Sequence, residues 1–342
     1  MSPLRSLAAA CVALMLSGCV SSLLARKVVA PPNKSGIKAL FEDSVIIRNA
    51  PLAFTDVWKV HAGPPPADIV VASIEPGDYG FAYDLELSYP EGRSPKIDHF
   101  SAFWRAAKDA VPSPVASKGT LLFLHGYLQD KRFLTPWALR LAQAGYRCAL
   151  LDLRGHGDST GRHISFGAFE AADVSAVIDD LARRGWDVSR VGLFGVSYGA
   201  SVGLLTAGRD TRVQSVVAFE PFSSAEKAVP ELMRSAFAAE ARGITDDQFA
   251  AAYRKESALA GFAWADADIF AALRRTRAPV LFLHGEADTW LSPGHSRALF
   301  DQAPPGSRLE LVPRDNHVTL PLQIAPFEAE VIGWFDAAFT KR

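Results

Sequence analysis

The chain has 342 residues, of which 49% are hydrophobic and 21% are charged. This length and composition can form a large core, and we expect one α/β domain of about 250 to 300 residues. The formal net charge is −1, which excludes the strongly basic surface typical of nucleic-acid-binding proteins. We therefore predict no nucleic-acid partner.

The first residues have the features of a targeting segment. Arg5 is followed by a short apolar run, Leu7 to Leu16, about half as long as a bilayer-spanning helix. Small residues then precede Cys19 directly. This order resembles the lipobox of bacterial lipoproteins, which implies cleavage after Gly18 and a lipid on Cys19. Residues 1–18 are then a signal peptide, although a plain secretory signal or an uncleaved anchor remains open.

The same resemblance implies a protein that is anchored by lipid in the bacterial cell envelope. Several acyl chains on Cys19 exceed the threshold for stable anchoring in a membrane. Val20 stands where such lipoproteins carry Asp for inner-membrane retention, so we expect the outer membrane, facing the periplasm. Residues 19–40 contain a Pro- and Asn-bearing stretch and are predicted to be a tether to a domain over residues 41–342.

The segment over residues 41–116 is rich in proline and contains alternating apolar runs. Such runs, bounded by turn residues, are typical of strands. We predict strands at Asp68–Ile74 and Tyr79–Tyr89, with a third around Phe100–Ala106. They are interpreted as antiparallel leading strands of the domain.

From Gly119 onward, short apolar runs alternate with helical patterns. Continuous apolar runs predict strands that are buried on both faces. These runs are Thr120–Leu124, Cys148–Leu153, Val191–Phe194, Val213–Phe219, Pro279–Leu283 and Leu309–Pro313. Helices are predicted from an N-cap at Thr135, over Phe166–Leu181 and over Pro326–Phe339. The alternation implies a mostly parallel central sheet flanked by helices.

The alternation stops over residues 223–277, which are mostly helical in pattern. Thr245 and Gln248 have the spacing of a capping box, which predicts the start of a helix. We interpret this segment as a helical lid inserted between the sixth and seventh strands of the sheet. Ordinary helices packed beside the sheet are the alternative.

The segment Gly195-Val196-Ser197-Tyr198-Gly199 lies between a predicted strand and a predicted helix. In that context the G-x-S-x-G pattern predicts a sharp turn that presents the serine hydroxyl at the edge of the sheet. The glycines are small because the turn is crowded. The positive end of the following helix points at any oxyanion that forms there.

Four landmarks occur in the order found in the α/β-hydrolase family, and the chain from Gly119 onward resembles that fold. They are His125-Gly126, the stretch Asp152–Ser159, the turn at Ser197, and His284-Gly285-Glu286-Ala287-Asp288 followed by Asn316-His317. Each follows a predicted strand. The resemblance covers about two thirds of the chain and implies an α/β-hydrolase fold with hydrolase activity.

A serine hydroxyl is a poor nucleophile unless a base accepts its proton and an acid orients that base. His317 lies in a polar loop after the last predicted strand, where open α/β sheets place their sites, and is predicted to be the base. Asp288 is predicted to be the acid, because the order serine, acid, histidine is that of this fold. Glu286 and Glu220 are the competing acids.

Two backbone N–H groups must stabilise the negative charge that develops on the substrate oxygen. Tyr198 follows the nucleophile and is predicted to supply one of them. The family resemblance implies that Tyr127, which follows His125-Gly126, supplies the other. We expect His125, His156 and His284 to be structural, because no carboxylate spacing completes a metal site. No metal or organic cofactor is implied.

The sequence therefore predicts a serine hydrolase that cleaves carboxylic esters through an acyl-enzyme, since related enzymes that form alkyl esters carry Asp at the position of Ser197. The expected substrate is a small acyl ester or a lipid-like molecule, and the oligomeric state is left open. Phe262, Trp264, Met233 and Phe237 either form an acyl pocket or pack the lid onto the core. The alternatives are a serine peptidase of the aminopeptidase or prolyl type, a thioesterase, and a non-catalytic envelope lipoprotein.

Overall fold

The computed structural model describes residues 21–34, 54–88, 99–107, 109–113 and 116–340. The predicted signal peptide, its cleavage site and Cys19 lie outside these residues. Within the described residues, no helix combines the length and the apolar character that crossing a bilayer requires.

The domain is organised around one eight-stranded sheet. Its strands, labelled β1 to β8 in chain order, are Asp56–Ala62, Ala67–Ile74, Thr120–Leu124, Arg147–Leu151, Val191–Val196, Val213–Phe219, Val280–Gly285 and Arg308–Val312. Their spatial order is β1-β2-β4-β3-β5-β6-β7-β8. β2 pairs antiparallel with β1 and with β4, whereas the pairs from β4 to β8 are parallel. The predicted mostly parallel sheet is confirmed.

Helices cover both faces of this sheet. They are α1 (Thr135–Gln143), α2 (Glu170–Arg183), α3 (Tyr198–Ala207), α4 (Ala225–Ser235), α5 (Asp246–Ala260), α6 (Ile269–Arg275), α7 (Gly294–Phe300) and α8 (Ile324–Thr340). One hydrophobic core contains Val174 of α2 and Leu204 of α3. The other contains Trp137 of α1 and Phe335 of α8. The two cores keep the parallel strands buried, as continuous apolar runs require.

The helices α4, α5 and α6 lie between β6 and β7, the sixth and seventh strands of the sheet. The side chain of Thr245 accepts from the backbone of Gln248, and the side chain of Gln248 accepts from the backbone of Thr245. This capping box satisfies two N–H groups at the start of α5 and fixes where that helix begins.

Several elements differ from the sequence-based expectation. The run predicted over Tyr79–Tyr89 forms a strand over Ala82–Ser88, which pairs with His99–Arg105 in a separate two-stranded sheet. The edge strand β1 was not predicted, because its partly exposed side chains give a weak apolar signal. Thr135 is the first residue of α1 and not its N-cap, since a 3-10 turn over Lys131–Leu134, capped by Asp130, leads directly into the helix.

The predicted tether is structured where the structure describes it. Residues 21–28 are helical and are called the N-terminal helix below. Leu24, Ala25 and Val29 are buried in the same core as α2 and α3. The backbone of Ile164 donates to the carbonyl of Val29 at 3.0 Å. The tether was predicted from Pro31 and Pro32. The apolar residues before these prolines attach the segment to the domain.

Candidate active site

Ser197 occupies a strained turn between β5 and α3. Its φ of 51° and ψ of −112° are unfavourable for a residue with a side chain, and such strain is concentrated at functional sites. A Cβ on Gly199 would lie 2.0 Å from the carbonyl oxygen of Leu124, and one on Gly195 would lie 2.5 Å from the Cα of Ala200. Both glycines are therefore required for β3, β5 and α3 to approach closely enough to form the turn.

His317 reaches Ser197 from the loop after β8. Its Nε2 lies 2.9 Å from the Oγ of Ser197. The side chain of Asn316 accepts from the backbone N–H groups of Val318 at 2.9 Å and Thr319 at 3.1 Å. This local turn fixes the backbone from which the imidazole projects.

Asp288 holds the other side of the imidazole. Its Oδ2 lies 2.7 Å from the Nδ1 of His317, while its Oδ1 accepts from the backbone of Trp290 at 2.8 Å and of Leu291 at 2.9 Å. Burial by itself would raise the pKa of Asp288, but His317 and His284 outweigh it and hold that pKa below its ordinary value. An ionised Asp288 fixes the tautomer of His317 in which Nε2 accepts a proton.

Glu220 is a second carboxyl group near the same imidazole. Its Oε2 lies 3.6 Å from the Nδ1 of His317, and neither of its oxygens has a hydrogen-bond partner among the described residues. Complete burial, and then the nearby charge of Asp288, raise the pKa of Glu220 well above its ordinary value. Burial therefore favours the protonated form of Glu220, whereas the two histidines favour the ionised form of Asp288. Glu286, the other competing acid, is exposed.

His284, which the sequence analysis expects to be structural, contacts the loop that carries Asp288. Its Nε2 lies 3.3 Å from the Oδ2 of Asp288 and 3.1 Å from the carbonyl oxygen of Leu291. Its Nδ1 lies 2.7 Å from the hydroxyl of Ser296. The spacing of four residues between His284 and Asp288 is the sequence feature from which this contact could have been predicted.

The two tyrosines predicted for the oxyanion hole line the same cavity as Ser197. Tyr198 is the first residue of α3, so its backbone N–H has no acceptor within the helix. Tyr127 lies beside it, with the two ring centroids 6.3 Å apart. The loop of Tyr127 is fixed by His125, which accepts from the backbone of Leu153 at 3.0 Å, and by Gln129, which accepts from the backbone of Gly126 at 2.8 Å.

One group of side chains in the described residues has the geometry of a possible metal site. Glu220, Asp288 and His317 each place one ligand atom within 4.8 Å of the others. The Nδ1 of His317 is already hydrogen-bonded to Asp288, and the raised pKa of Glu220 opposes the deprotonation that metal binding requires. The hydrogen-bonded arrangement fits a proton-transfer site better than a metal centre.

A cavity of about 370 Å³ opens beside Ser197, within the range of roughly 300 to 1,000 Å³ for small-molecule sites. Its lining is mostly apolar and comes from the helical segment over residues 223–277, the core and the N-terminal helix. The lining residues are Leu24, Lys27, Val28, Tyr127, Phe166, Ser197, Tyr198, Phe222, Ala228, Val229, Leu232, Met233, Phe237, Glu240 and Leu291.

The four apolar lid residues separate into two roles. Met233 and Phe237 line the cavity. Trp264 instead stacks on Tyr253 with ring centroids 3.8 Å apart and contacts Phe262 at 4.8 Å. Phe262 in turn contacts Phe169 at 5.9 Å. The second pair therefore packs the segment over residues 223–277 onto the domain.

A family model described as "Alpha/beta hydrolase family" matches residues 121–329, which contain the turn at Ser197 and the loops of Asp288 and His317. The chain belongs to the α/β-hydrolase family. This α/β hydrolase is 22% identical to the uncharacterized protein YqkD of Bacillus subtilis over 204 residues, covering 59% of the chain and 66% of YqkD. It is 29% identical to the quorum-quenching protein AidA of Acinetobacter baumannii over 121 residues, which cover 33% of this chain and 38% of AidA. These matches span less than two thirds of either relative.

Solved structures of other α/β hydrolases superpose on most of the chain. An esterase from Pyrococcus furiosus has a TM-score of 0.57 at 16% identity, covering 84% of this chain and 94% of its own. Acetyl xylan esterase 1 from Thermoanaerobacterium has a TM-score of 0.54 at 16% identity, covering 83% and 84%. An acylaminoacyl peptidase from Pyrococcus horikoshii has a TM-score of 0.55 at 13% identity. The match covers 84% of this chain and 42% of the peptidase chain. At these identities the likeness shows the fold.

Proposed function

We propose that this α/β hydrolase is a serine hydrolase that cleaves carboxylic esters through an acyl-enzyme. The observation that carries the proposal is one continuous chain of hydrogen bonds. It joins the hydroxyl of Ser197 to His317 at 2.9 Å and His317 to Asp288 at 2.7 Å. Nucleophile, base and orienting acid within these distances are the arrangement that acyl transfer requires.

In the proposed mechanism the Oγ of Ser197 attacks the ester carbonyl while the Nε2 of His317 takes the hydroxyl proton. The oxygen of the tetrahedral intermediate accepts hydrogen bonds from the backbone N–H groups of Tyr198 and Tyr127. The C–O bond then breaks, and His317 returns the proton to the leaving alcohol. Water, deprotonated by His317, attacks the acyl-enzyme carbonyl; the bond to the Oγ of Ser197 breaks, His317 returns the proton to that oxygen, and the acid is released. The mechanism needs no cofactor.

The cavity supports an apolar acyl group as the preferred substrate. Among its described lining residues, Lys27 and Glu240 carry the charges and the remainder are mostly apolar. A serine peptidase of the aminopeptidase type is the second candidate, because Glu240 is a carboxylate of the kind that binds a peptide amine. A thioester would fit the same nucleophile and cavity. We rank the ester first because the apolar lining is continuous and the carboxylate is a single exposed residue.

We further propose that residues 1–18 are removed and that Cys19 is lipidated, which anchors the enzyme to the bacterial outer membrane facing the periplasm. The sequence before Cys19 and Val20 after it support this proposal. Metabolic labelling with a fatty acid analogue tests it, because the label should be present on the wild type and absent from Cys19→Ala. Equal labelling of both proteins would refute it.

A fluorophosphonate probe and two parallel assays test the catalytic proposal. The probe should label Ser197, identified by mass spectrometry, and Ser197→Ala should remain unlabelled and lose roughly 10⁴- to 10⁶-fold in turnover of p-nitrophenyl esters. Circular dichroism checks that the variant is folded. Faster cleavage of aminoacyl p-nitroanilides than of esters would favour the peptidase, and a folded protein that stays unlabelled would favour a non-catalytic lipoprotein.

A further inference from the structure

The N-terminal helix forms part of the cavity that contains Ser197. Leu24 and Val28 line it together with Met233 and Phe237 of the lid segment, and the exposed Lys27 also contributes to the lining. Leu24 is 5% exposed, whereas its neighbour Leu23 is 59% exposed. The helix thus presents one side to the substrate cavity and the other to solvent.

Specific contacts hold this helix in place. The Nζ of Lys255, in lid helix α5, lies 3.2 Å from the hydroxyl of Ser21 and 3.0 Å from that of Ser22. At the other end, the side chain of Asn33 donates to the carbonyl oxygens of Gly157 at 3.0 Å and Ser159 at 2.9 Å. The segment is therefore attached both to the lid and to the loop after β4.

We propose, on the basis of the proposed function, that the N-terminal helix is a specificity element that closes the acyl-binding cavity. Its apolar residues Leu24 and Val28 contact the acyl chain of the substrate. The substrate is a single-chain acyl ester taken from the membrane in which Cys19 is anchored.

Covalent geometry limits the distance between this cavity and the membrane. Ser21 is two residues beyond Cys19, so their Cα atoms are at most about 7 Å apart. The exposed side of the helix carries Leu23, Arg26 and Lys27. An apolar residue flanked by cations suits the surface of an anionic bilayer. A lipid on Cys19 would therefore hold the mouth of the cavity at the bilayer surface.

The size and lining of the cavity indicate one acyl chain. A volume of about 370 Å³ is near the lower end of the roughly 300 to 1,000 Å³ range of small-molecule sites. Each methylene that moves from water into an apolar cavity contributes up to about fourfold in binding, whereas a methylene that leaves the apolar interior of a bilayer gains little. The limited volume of the cavity therefore selects a single chain of intermediate length, and a two-chain lipid does not fit.

Two neighbouring leucines provide a matched test of the helix. We expect Leu24→Trp, which fills the cavity, to lower the ratio of kcat/KM for p-nitrophenyl decanoate to that for the acetate by at least about tenfold. The matched control Leu23→Trp should leave the ratio unchanged within twofold. The ratio is taken within one protein and does not depend on the folded fraction. Leu24→Ala, which enlarges the cavity, should shift the optimum to longer chains.

The outcomes separate this inference from the proposed function. If the wild type hydrolyses neither ester, the proposed function fails. If it hydrolyses both and Leu24→Trp and Leu24→Ala keep the wild-type ratio, the helix is no specificity element and this inference fails alone.

A vesicle assay tests the source of the substrate. The probe is 1-decanoylglycerol in phosphatidylglycerol vesicles, incubated with the lipidated full chain or with Cys19→Ala. The lipidated enzyme should cleave the monoacylglycerol at least about tenfold faster, while p-nitrophenyl acetate is cleaved equally by both. Equal rates on the vesicles, or faster cleavage of the two-chain phosphatidylglycerol, would overturn the assignment of a single-chain membrane substrate.

Discussion

Glu220 and Asp288 present carboxyl oxygens to the same nitrogen of His317, at 3.6 Å and 2.7 Å respectively. Both residues follow neighbouring strands of the sheet. Glu220 comes directly after β6, and Asp288 lies just beyond β7. The two groups are driven to opposite protonation states. The pKa of Glu220 is raised by burial and by Asp288, whereas the pKa of Asp288 is lowered, against its burial, by His317 and His284.

This difference predicts unequal effects of two matched substitutions. Asp288→Asn should reduce kcat about 10³- to 10⁴-fold, because the amide no longer fixes the required tautomer of His317. Glu220→Gln should stay within about fivefold of the wild type, because it replaces a neutral carboxyl with an isosteric amide. Steady-state hydrolysis of a p-nitrophenyl ester measures both. A larger loss for Glu220→Gln would make Glu220 the orienting acid.

The glycines of the turn predict a second pair of outcomes. Gly199→Ala should destabilise the fold by about 1 to 3 kcal/mol and abolish most activity, because its Cβ would lie 2.0 Å from the carbonyl oxygen of Leu124. Gly203→Ala in the same helix is the control, since its nearest contact is 3.5 Å away. That change should be neutral or stabilise by up to about 1 kcal/mol. Chemical denaturation and ester hydrolysis distinguish the two variants.

The buried Glu256 of the lid predicts a pH dependence of stability. Burial raises its pKa to about 8, whereas an unfolded glutamate titrates near pH 4.3. The folded state then retains a proton that the unfolded state releases. Stability from this group is therefore complete below about pH 4 and declines as the pH rises to about 8.

Thermal unfolding between pH 5 and 8 tests this expectation. Glu256→Gln should flatten the decline in Tm, because the amide does not titrate. Glu226→Gln, at an exposed lid position, should retain the wild-type slope. A parallel slope for Glu256→Gln and the wild type would show that another group causes the pH dependence.

A buried ion pair gives a prediction about stability away from the site. Arg154 donates to both oxygens of Asp173 at 2.8 and 2.7 Å, and the two side chains are 1% and 3% exposed. Arg154→Met should destabilise by about 3 to 5 kcal/mol, because it leaves a buried carboxyl uncompensated. Arg183→Met breaks an ion pair with Asp180 whose Arg is 66% exposed and should cost less than about 1 kcal/mol. Urea denaturation compares them, and similar losses would contradict the expectation.

The parallel sheet was predictable because its strands are continuous apolar runs between turn signals. Two of the runs, Thr120–Leu124 and Val213–Phe219, coincide with β3 and β6. The carboxyl ends of such strands share one edge, so the sequence alone predicted that Ser197, Asp288 and His317 would meet there. The catalytic roles of these three residues remain a proposal, which the fluorophosphonate probe and the ester assays would test.

Features that depend on tertiary packing were not predictable in the same way. The raised pKa of Glu220 results from its burial beside Asp288, and no local sequence pattern indicates that burial. The N-terminal helix was interpreted as a tether because its apolar residues find their partners in α2, α3 and the lid, far along the chain. His284 contacts Asp288 only because the turn after β7 folds back on the strand.

The attachment of residues 21–34 also determines which recombinant form is worth studying. Removing them would leave the backbone N–H of Ile164 and the carbonyls of Gly157 and Ser159 without the partners they have in the structure. It would also remove Leu24 and Val28 from the lining of the cavity beside Ser197 and expose that cavity to water. A shortened protein produced for ease of purification would therefore report the substrate range of a cavity that lacks one of its walls.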